Sequence, residues 1–396
     1  GLEKRPKLRF PGFDEPWKET ALSSVLTERN EYAEKDGTYE HATLSKEGIY
    51  GKTARYDRDF LVSTENKKYK VTHLGDLCYN PANLKFGVIC LNTYGDAIFS
   101  PIYVTFEIDA SSDPDFIGAY LTRWDFINRA LKYQQGTVYE RMAVSPEDFV
   151  SIKCCFPQKA EQTRLAEFIT LLDNRIAAQG KYVESLKKYK RGVVRTLLST
   201  KHCSIKNVKW TTSRIGDIGT FIKGAPLSKA DISLEGTPFI LYGELYTTYN
   251  EVISNVVRKT QASVDKQYYS QIGDVIIPTS GETPEEISTA SCVMLPDIIL
   301  AGDLNIYRCT QVDGRIMSYI LNHVVNDRIA RIAQGKSIVH VQAAEISKIE
   351  ITYPDPFSQK RIIAIIAAIS DRIDQSNAEL RLLHELRKAL LQKLFI

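Results

Sequence analysis

Apolar residues recur at alternating spacings of four and three along two long stretches of the chain. This heptad spacing is typical of a coiled-coil seam, and it continues through both stretches. The pattern predicts two long helices. Their seam positions are Leu165, Ile169, Leu172, Ile176, Gln179, Val183 and Leu186 in the first helix, and Ile362, Ile366, Ile369, Ile373, Ser376, Leu380 and Leu383 in the second.

The polar interruptions of the two seams fall at the same register. Gln179 aligns with Ser376, and Lys190 aligns with Arg387. A polar residue on a seam lowers stability but fixes register and partner. The two helices are therefore predicted to pack against each other.

The repeat extends beyond the helices. A constant shift of 197 residues takes Gln162 to Gln359, and the sequence Leu74-Gly75-Asp76-Leu77 recurs as Ile272-Gly273-Asp274-Val275. The chain is therefore predicted to be a tandem duplication. Its regions are a globular region at 1–158, a long helix at 159–201, a second globular region at 202–357 and a second long helix at 358–396.

Shorter patterns place strands and helices in the first globular region. Alternation of apolar and polar residues predicts one strand ending at Ile108 and another over Val150–Phe156. Between them, Asp113 followed by proline predicts a helix start, and a single helix is expected from Phe116 to Leu131. Strands and helices in both globular regions give an α+β fold.

Charge divides the chain in the same way. The long helices carry formal charges of +6 and +3, and the globular regions carry −3 each, which together give the net charge of +3. A nucleic-acid-binding function would therefore need local basic faces on globular regions that are mildly acidic as wholes. Net charge alone favours no class of partner.

Composition indicates a cytoplasmic protein. No apolar run approaches the roughly 20 residues of a membrane helix, and the polar beginning of the sequence does not look like a signal peptide. The seven cysteines form no C-x-x-C pair, which is typical of reduced thiols.

The sequence contains no recognisable catalytic or metal-binding motif. It lacks a phosphate-binding loop and a glycine-rich turn suited to a dinucleotide or methyl donor, and its histidines are isolated. Gly75-Asp76 and Gly273-Asp274 are interpreted as tight turns in which the aspartate caps backbone amides. The chain is predicted to carry no catalytic residue, metal or cofactor of its own.

Basic, aromatic and polar residues interleave in several stretches, which makes them candidates for DNA contact. Lysine and arginine can neutralise phosphates, and polar side chains can read base edges. An ordinary solvated loop is the alternative for each residue. The candidates are Lys52, Arg55, Tyr56, Arg58, Lys67, Lys68 and Lys85 in the first globular region, and Lys223, Lys229, Arg258, Lys259, Thr279, Ser280, Lys336 and Ser337 in the second.

With these features, the chain resembles the specificity subunit of a type I restriction–modification enzyme. The resemblance covers essentially the whole sequence and depends mainly on the duplicated order. The motifs that carry it are Leu8-Arg9-Phe10-Pro11-Gly12-Phe13 with Trp17, the segment Ile272–Thr279, and the Pro-x₄-Gln-x-Arg pattern at Pro157–Arg164 and Pro354–Arg361. Glu161 matches the family where it precedes this glutamine, and Ser358 departs from it.

The resemblance implies two target-recognition domains, each binding one half of a split double-stranded DNA sequence. It implies that the long helices pack antiparallel as a spacer, with pseudo-twofold symmetry, and dock two modification (M) subunits. S-adenosylmethionine, ATP and Mg are then expected on the M subunits and the restriction (R) subunits. A helix from Leu165 to Leu197 would be roughly 50 Å long, enough to hold two readers about one DNA turn apart.

Two other interpretations stay open from the sequence. The chain could be a tandem coiled-coil scaffold that joins proteins without reading DNA. It could also be a lone nuclease or methyltransferase, although that interpretation would need a metal or methyl-donor motif.

Overall fold

The computed structural model describes residues 5–52, 68–135, 142–333, 335 and 339–395. The chain forms two compact units: unit 1 comprises Gly1–Gln179 and Glu379–Ile396, and unit 2 comprises Gly180–Ala378. The sequence placed region boundaries at the ends of the long helices, whereas these units divide each long helix near its middle. The reason is that each half-helix packs into the core of the globular region beside it.

Unit 1 combines three antiparallel or mixed sheets with short helices. Its strands are β1 (Lys18–Ala21), β2 (Leu26–Glu28), β3 (Tyr32–Ala33), β4 (Glu40–Ser45), β5 (Gly48–Gly51), β6 (Tyr69–Thr72), β7 (Leu77–Tyr79), β8 (Ile89–Leu91), β9 (Ala97–Phe99), β10 (Val104–Ile108) and β11 (Lys153–Phe156). Its helices are α1 (Pro114–Leu121), α2 (Trp124–Ala130), α3 (Pro146–Ser151) and the first half of α4 (Lys159–Leu197). The sheet orders are β1-β11, β2-β10-β7-β8 and β3-β6-β9-β4-β5.

Two local predictions in unit 1 were wrong. The single helix expected from Phe116 to Leu131 is divided into α1 and α2, because Arg123 between them has an extended backbone with φ of −74° and ψ of 143°. Val150 lies in α3 rather than in a strand. There, Ser145 caps the helix by accepting from the Asp148 amide at 3.1 Å, and proline occupies the first turn, which outweighs the alternating pattern.

Unit 2 repeats this plan. Its strands are β12 (Trp210–Arg214), β13 (Gly219–Lys223), β14 (Thr237–Leu241), β15 (Val252–Ile253), β16 (Arg258–Thr260), β17 (Asp274–Pro278), β18 (Ser280–Gly281), β19 (Ser291–Val293), β20 (Ile299–Ala301), β21 (Leu304–Cys309), β22 (Val339–His340) and β23 (Glu350–Pro354). Its helices are α5 (Glu244–Thr247), α6 (Pro284–Ile287), α7 (Gly314–His323), α8 (Asn326–Ile332), α9 (Ala343–Ser347) and the first half of α10 (Pro356–Leu394). The sheet orders are β12-β23, β13-β21-β17-β19-β15, β16-β14-β20 and β18-β22.

The long helices pack antiparallel within each unit. In unit 1, Leu165 at the beginning of α4 shares a core with Leu394 at the end of α10, and farther along Arg175 pairs with Glu379 at 2.6 Å. In unit 2 the late part of α4 packs with the early part of α10, since Leu197 and Ile362 belong to one core. All the predicted seam residues are buried or partly buried, including the polar residues at positions 179 and 376.

Lys190 does not extend along the seam as its register suggested. Its ammonium donates to Glu251 at 2.9 Å, and the other oxygen of Glu251 lies 2.9 Å from Nε2 of His323 in α7. Burial alone would raise the pKa of Glu251, but the hydrogen bond to His323 and the charge of Lys190 outweigh burial and lower that pKa to about 2. This cluster attaches the globular part of unit 2 to α4.

Across the described parts of the chain, no helix combines the length and the hydrophobicity that crossing a membrane requires.

Candidate nucleic-acid interface

The repeated glutamine has the same role in both units. In unit 1, Oε1 of Gln162 accepts from the amide of Asp113 and its Nε2 donates to the carbonyl of Pro157, both at 2.9 Å. In unit 2, Gln359 makes the equivalent bonds to Asp313 and Pro354, both at 2.8 Å. The Pro-x₄-Gln motif therefore fixes the start of each long helix to the loop before a helix of the globular region.

The residue before this glutamine differs between the units. Glu161 is buried and accepts two hydrogen bonds of 2.7 Å from the guanidinium of Arg9. Ser358 instead donates to Asp355 at 2.8 Å. The departure from the family pattern at Ser358 is therefore matched by a different local partner.

The Gly-Asp motifs are turns, as predicted. Asp76 accepts from the His73 amide at 2.7 Å, and Asp274 accepts from the Gln271 amide at 2.8 Å. The preceding glycines have φ of +88° and +96°, a conformation that glycine adopts readily. Both aspartates also pair with an arginine of their own unit, so their carboxylates serve the fold.

In unit 1, Lys68 and Lys85 are exposed and Lys52 is partly exposed. The remaining candidates of this region, Arg55, Tyr56, Arg58 and Lys67, lie outside the described residues. The neighbouring Lys70 is only 1% exposed because its ammonium is bound to Glu28 and Asn30 at 3.0 Å.

Lys85 lies beside exposed aromatic rings that the sequence analysis did not select. Its Nζ is 5.1 Å from the ring centroid of Phe86, and Phe86 and Trp124 are 60% and 57% exposed. Gly87 brings the backbone close to the Trp124 ring, since a Cβ added there would lie 3.5 Å from it. Lys85, Phe86 and Trp124 form what we call the aromatic patch of unit 1.

In unit 2, one face of the central sheet changes from apolar to polar along its strands. The rings of Phe221 and Tyr307 pack at 4.7 Å between centroids, and two residues farther along β13 the same face carries Lys223, directly opposite Asn305. Directly opposite residues of an antiparallel pair project from the same face of the sheet. The strand ends therefore present polar groups where the core stops.

These polar ends line a groove of about 960 Å³, which we call the polar groove. Its polar lining includes Lys223, Thr279, Asn305, His340 and Gln342. Within this lining, the Val341 amide donates to the Thr279 carbonyl at 3.0 Å. Two of the sequence candidates, Lys223 and Thr279, thus share one surface.

The other candidates in unit 2 have different surroundings. Ser280 is 4% exposed and donates to Asp303 at 2.9 Å, which corrects the expectation that its hydroxyl faces DNA. Arg258 is exposed but pairs with Glu244 at 3.0 Å. Lys229 and Lys259 are exposed and do not line the groove, and Lys336 and Ser337 lie outside the described residues.

Asn305 was missed because sequence reasoning looked for basic and aromatic clusters. A usable signal was present: in Leu304-Asn305-Ile306-Tyr307, a polar residue occupies the same strand face as the buried Tyr307. A polar side chain at such a position needs a hydrogen-bond partner or a function.

The described residues hold no group of three or more His, Cys, Asp or Glu side chains that could bind a metal ion. Burial raises the pKa of Cys154 and of Cys292 to about 12, so both thiols stay protonated and unreactive near neutral pH.

Comparison with known proteins gives one family and a shared fold. Residues 207–384 match the family model described as type I restriction modification DNA specificity domain. The fold is similar to the crystal structure of the type I restriction–modification S subunit from M. genitalium, with 16% identity, a TM-score of 0.58 and 99% of each chain covered. No curated protein matches significantly.

A second similar structure comes from work on complex assembly and conformational transition of the type I restriction–modification system. It is 16% identical, with a TM-score of 0.60 and 98% of each chain covered. The family match covers the second globular region and most of the helix after it. Unit 1 lies outside this match, but its Gln162 and Asp76 make the same kinds of hydrogen bond as their counterparts in unit 2. Residues 207–384 therefore match the type I restriction–modification DNA specificity domain, and the whole chain shares the fold of solved S subunits.

Proposed function

We propose that each globular region reads one half of a split DNA target and that partner subunits then methylate or cleave that DNA. The observation that carries this proposal is a pair of like scaffolds with unlike surfaces. Gln162 and Gln359 anchor the two regions identically. The aromatic patch of unit 1 and the polar groove of unit 2 share no such correspondence. Two different surfaces on the same scaffold are suited to binding two different DNA sequences.

We propose that the long helices dock two modification subunits, with restriction subunits added in the full complex. Large apolar side chains on these helices face solvent, and clusters of such side chains are typical of protein-binding surfaces. They are Leu171, Tyr182, Tyr189, Phe357, Ile365, Leu382 and Leu386. The excess of basic residues on the helices would attract acidic partner surfaces or nearby DNA.

The chemistry would then belong to the partners. S-adenosylmethionine would bind the modification subunits, and ATP and Mg would serve the restriction subunits. The role of this chain would be to select the DNA and to hold its partners on it.

Methylome sequencing tests this function directly. A host with the gene and its modification partner is expected to show a bipartite methylated motif, and deletion of the gene alone should abolish methylation at that motif. An unchanged methylome would contradict the proposal.

Exchange of residues 1–158 with those of a relative of different specificity tests the division of labour. Only one half of the methylated motif is expected to change, because the second region keeps its own scaffold and surface. A change in both halves would show that the regions do not read DNA separately.

A gel-shift assay with the modification subunit present separates DNA reading from the scaffold alternative. Binding through about 6–10 phosphates should weaken roughly 10³- to 10⁵-fold between 50 and 200 mM salt. A scaffold that joins proteins without DNA would give no specific shift at either salt concentration.

A further inference from the structure

Asn305 carries a hydrogen-bond donor that no described group satisfies. The residue is 2% exposed, and its Nδ2 has no hydrogen-bond partner. Buried polar groups are nearly always paired, because an unpaired donor loses its water without compensation. This donor therefore indicates a position at which an acceptor binds.

The surroundings of Asn305 restrict the chemistry of that acceptor. Lys223 lies directly opposite it on β13, and Thr279, His340 and Gln342 complete the polar lining of the groove. Most of these side chains can donate a hydrogen bond. The acid among the lining side chains, Asp303, accepts from Ser280 at 2.9 Å. The lining as a whole suits a ligand that mainly accepts hydrogen bonds.

We propose that the polar groove holds the sugar–phosphate backbone of one DNA strand, with Asn305 and Lys223 donating to a single phosphate. This inference rests on the proposed function. Base edges lie within the grooves of the duplex, whereas phosphates protrude and can enter a concave surface. Asp303 also lines the groove, so the contact would position the DNA and add modest affinity.

Neutral methylphosphonates placed one at a time in the duplex target test this in the wild-type complex with its modification subunits. One substitution near the second half-site is expected to weaken binding about 10-fold. In Lys223→Ala that penalty should shrink to the part that Asn305 contributes, the slope of log affinity against log salt should fall by about 0.9, and the methylated motif should stay unchanged. Lys229→Ala is the matched control, since this exposed lysine of unit 2 lies outside the groove, and it should keep the penalty.

Asn305→Leu gives an independent readout. It removes the unpaired donor at nearly constant volume, so thermal stability should be unchanged or higher while affinity for DNA falls about 5- to 10-fold. Unchanged affinity in Asn305→Leu, or a methylphosphonate penalty that is undiminished in Lys223→Ala, overturns the groove assignment. Absence of any specific binding by the wild-type complex would instead contradict the proposed function.

Discussion

Replacement of Glu251 by Gln is expected to lower the free energy of unfolding by about 3 kcal/mol, because loss of one partner from a largely buried ion pair, whose side chains are 13% and 18% exposed, leaves the other charge unpaired. Glu251 links Lys190 of α4 to His323 of α7. Its backbone carbonyl also accepts from the amide of Cys292 at 2.8 Å and from the hydroxyl of Ser318 at 2.7 Å. The variant keeps these backbone bonds, so the measured loss reports the side-chain cluster. Urea denaturation followed by circular dichroism gives the value.

The same cluster predicts a dependence of stability on pH. The pKa of Glu251 is lowered in the folded state to about 2, against about 4.3 for an unperturbed glutamate. A lowered carboxyl pKa contributes stability above the unfolded pKa and loses it as the pH falls towards the folded pKa. The difference between the wild type and Glu251→Gln should therefore be largest near neutral pH and shrink between about pH 4.3 and pH 2.

Glu345→Gln is the matched control for this substitution. Glu345 also pairs with a lysine in unit 2, but both side chains of that pair are exposed, at 40% and 68%. Exposed pairs contribute little, so a loss below about 0.5 kcal/mol is expected. Equal losses for Glu251→Gln and Glu345→Gln would refute the idea that the buried cluster attaches the globular region to α4.

The helices and the duplication could be predicted from sequence because their signals are periodic. Each seam residue from Leu165 to Leu186 repeats a spacing that only one helix face satisfies. The constant shift that takes Gln162 to Gln359 can likewise be seen in the order of residues along the chain. The structure explains why both glutamines are present, because each makes the same two hydrogen bonds.

Other features depended on contacts between residues far apart in sequence. Lys190 has the register of a seam residue, but its partner Glu251 lies 61 positions away. Asn305 became a candidate only because the fold places it directly opposite Lys223 on the neighbouring strand. The division of α1 from α2 occurs at Arg123, whose guanidinium carbon lies 4.8 Å from the ring centroid of Phe395. Periodicity therefore identified the two long helices, whereas the surfaces of the globular regions required the fold.

Gln359→Leu is expected to lower the stability of the start of α10 by about 3 kcal/mol. Gln359 is 4% exposed, and leucine fills similar space but leaves two backbone groups unpaired: the partly buried amide of Asp313 and the buried carbonyl of Pro354. Each unpaired group costs about 1–3 kcal/mol. Hydrogen exchange of the amides in α7 and in the first turns of α10 should show the loss locally.

Gln162→Leu should give a loss of stability of similar size in unit 1, because the bonds of Gln162 to Asp113 and Pro157 have the same geometry.

The same change at another buried glutamine supplies the control. Gln179 donates to Glu379, whose side chain is exposed and also pairs with Arg175, so Gln179→Leu leaves that carboxylate solvated and should cost less than about 1 kcal/mol. Since Gln162 and Gln359 occur at the start of both long helices, matched losses would mean that the two globular regions are attached to the spacer by one repeated joint. Unequal losses would mean that one region is held by contacts of its own, and the repeated motif would then not account for the attachment of both globular regions.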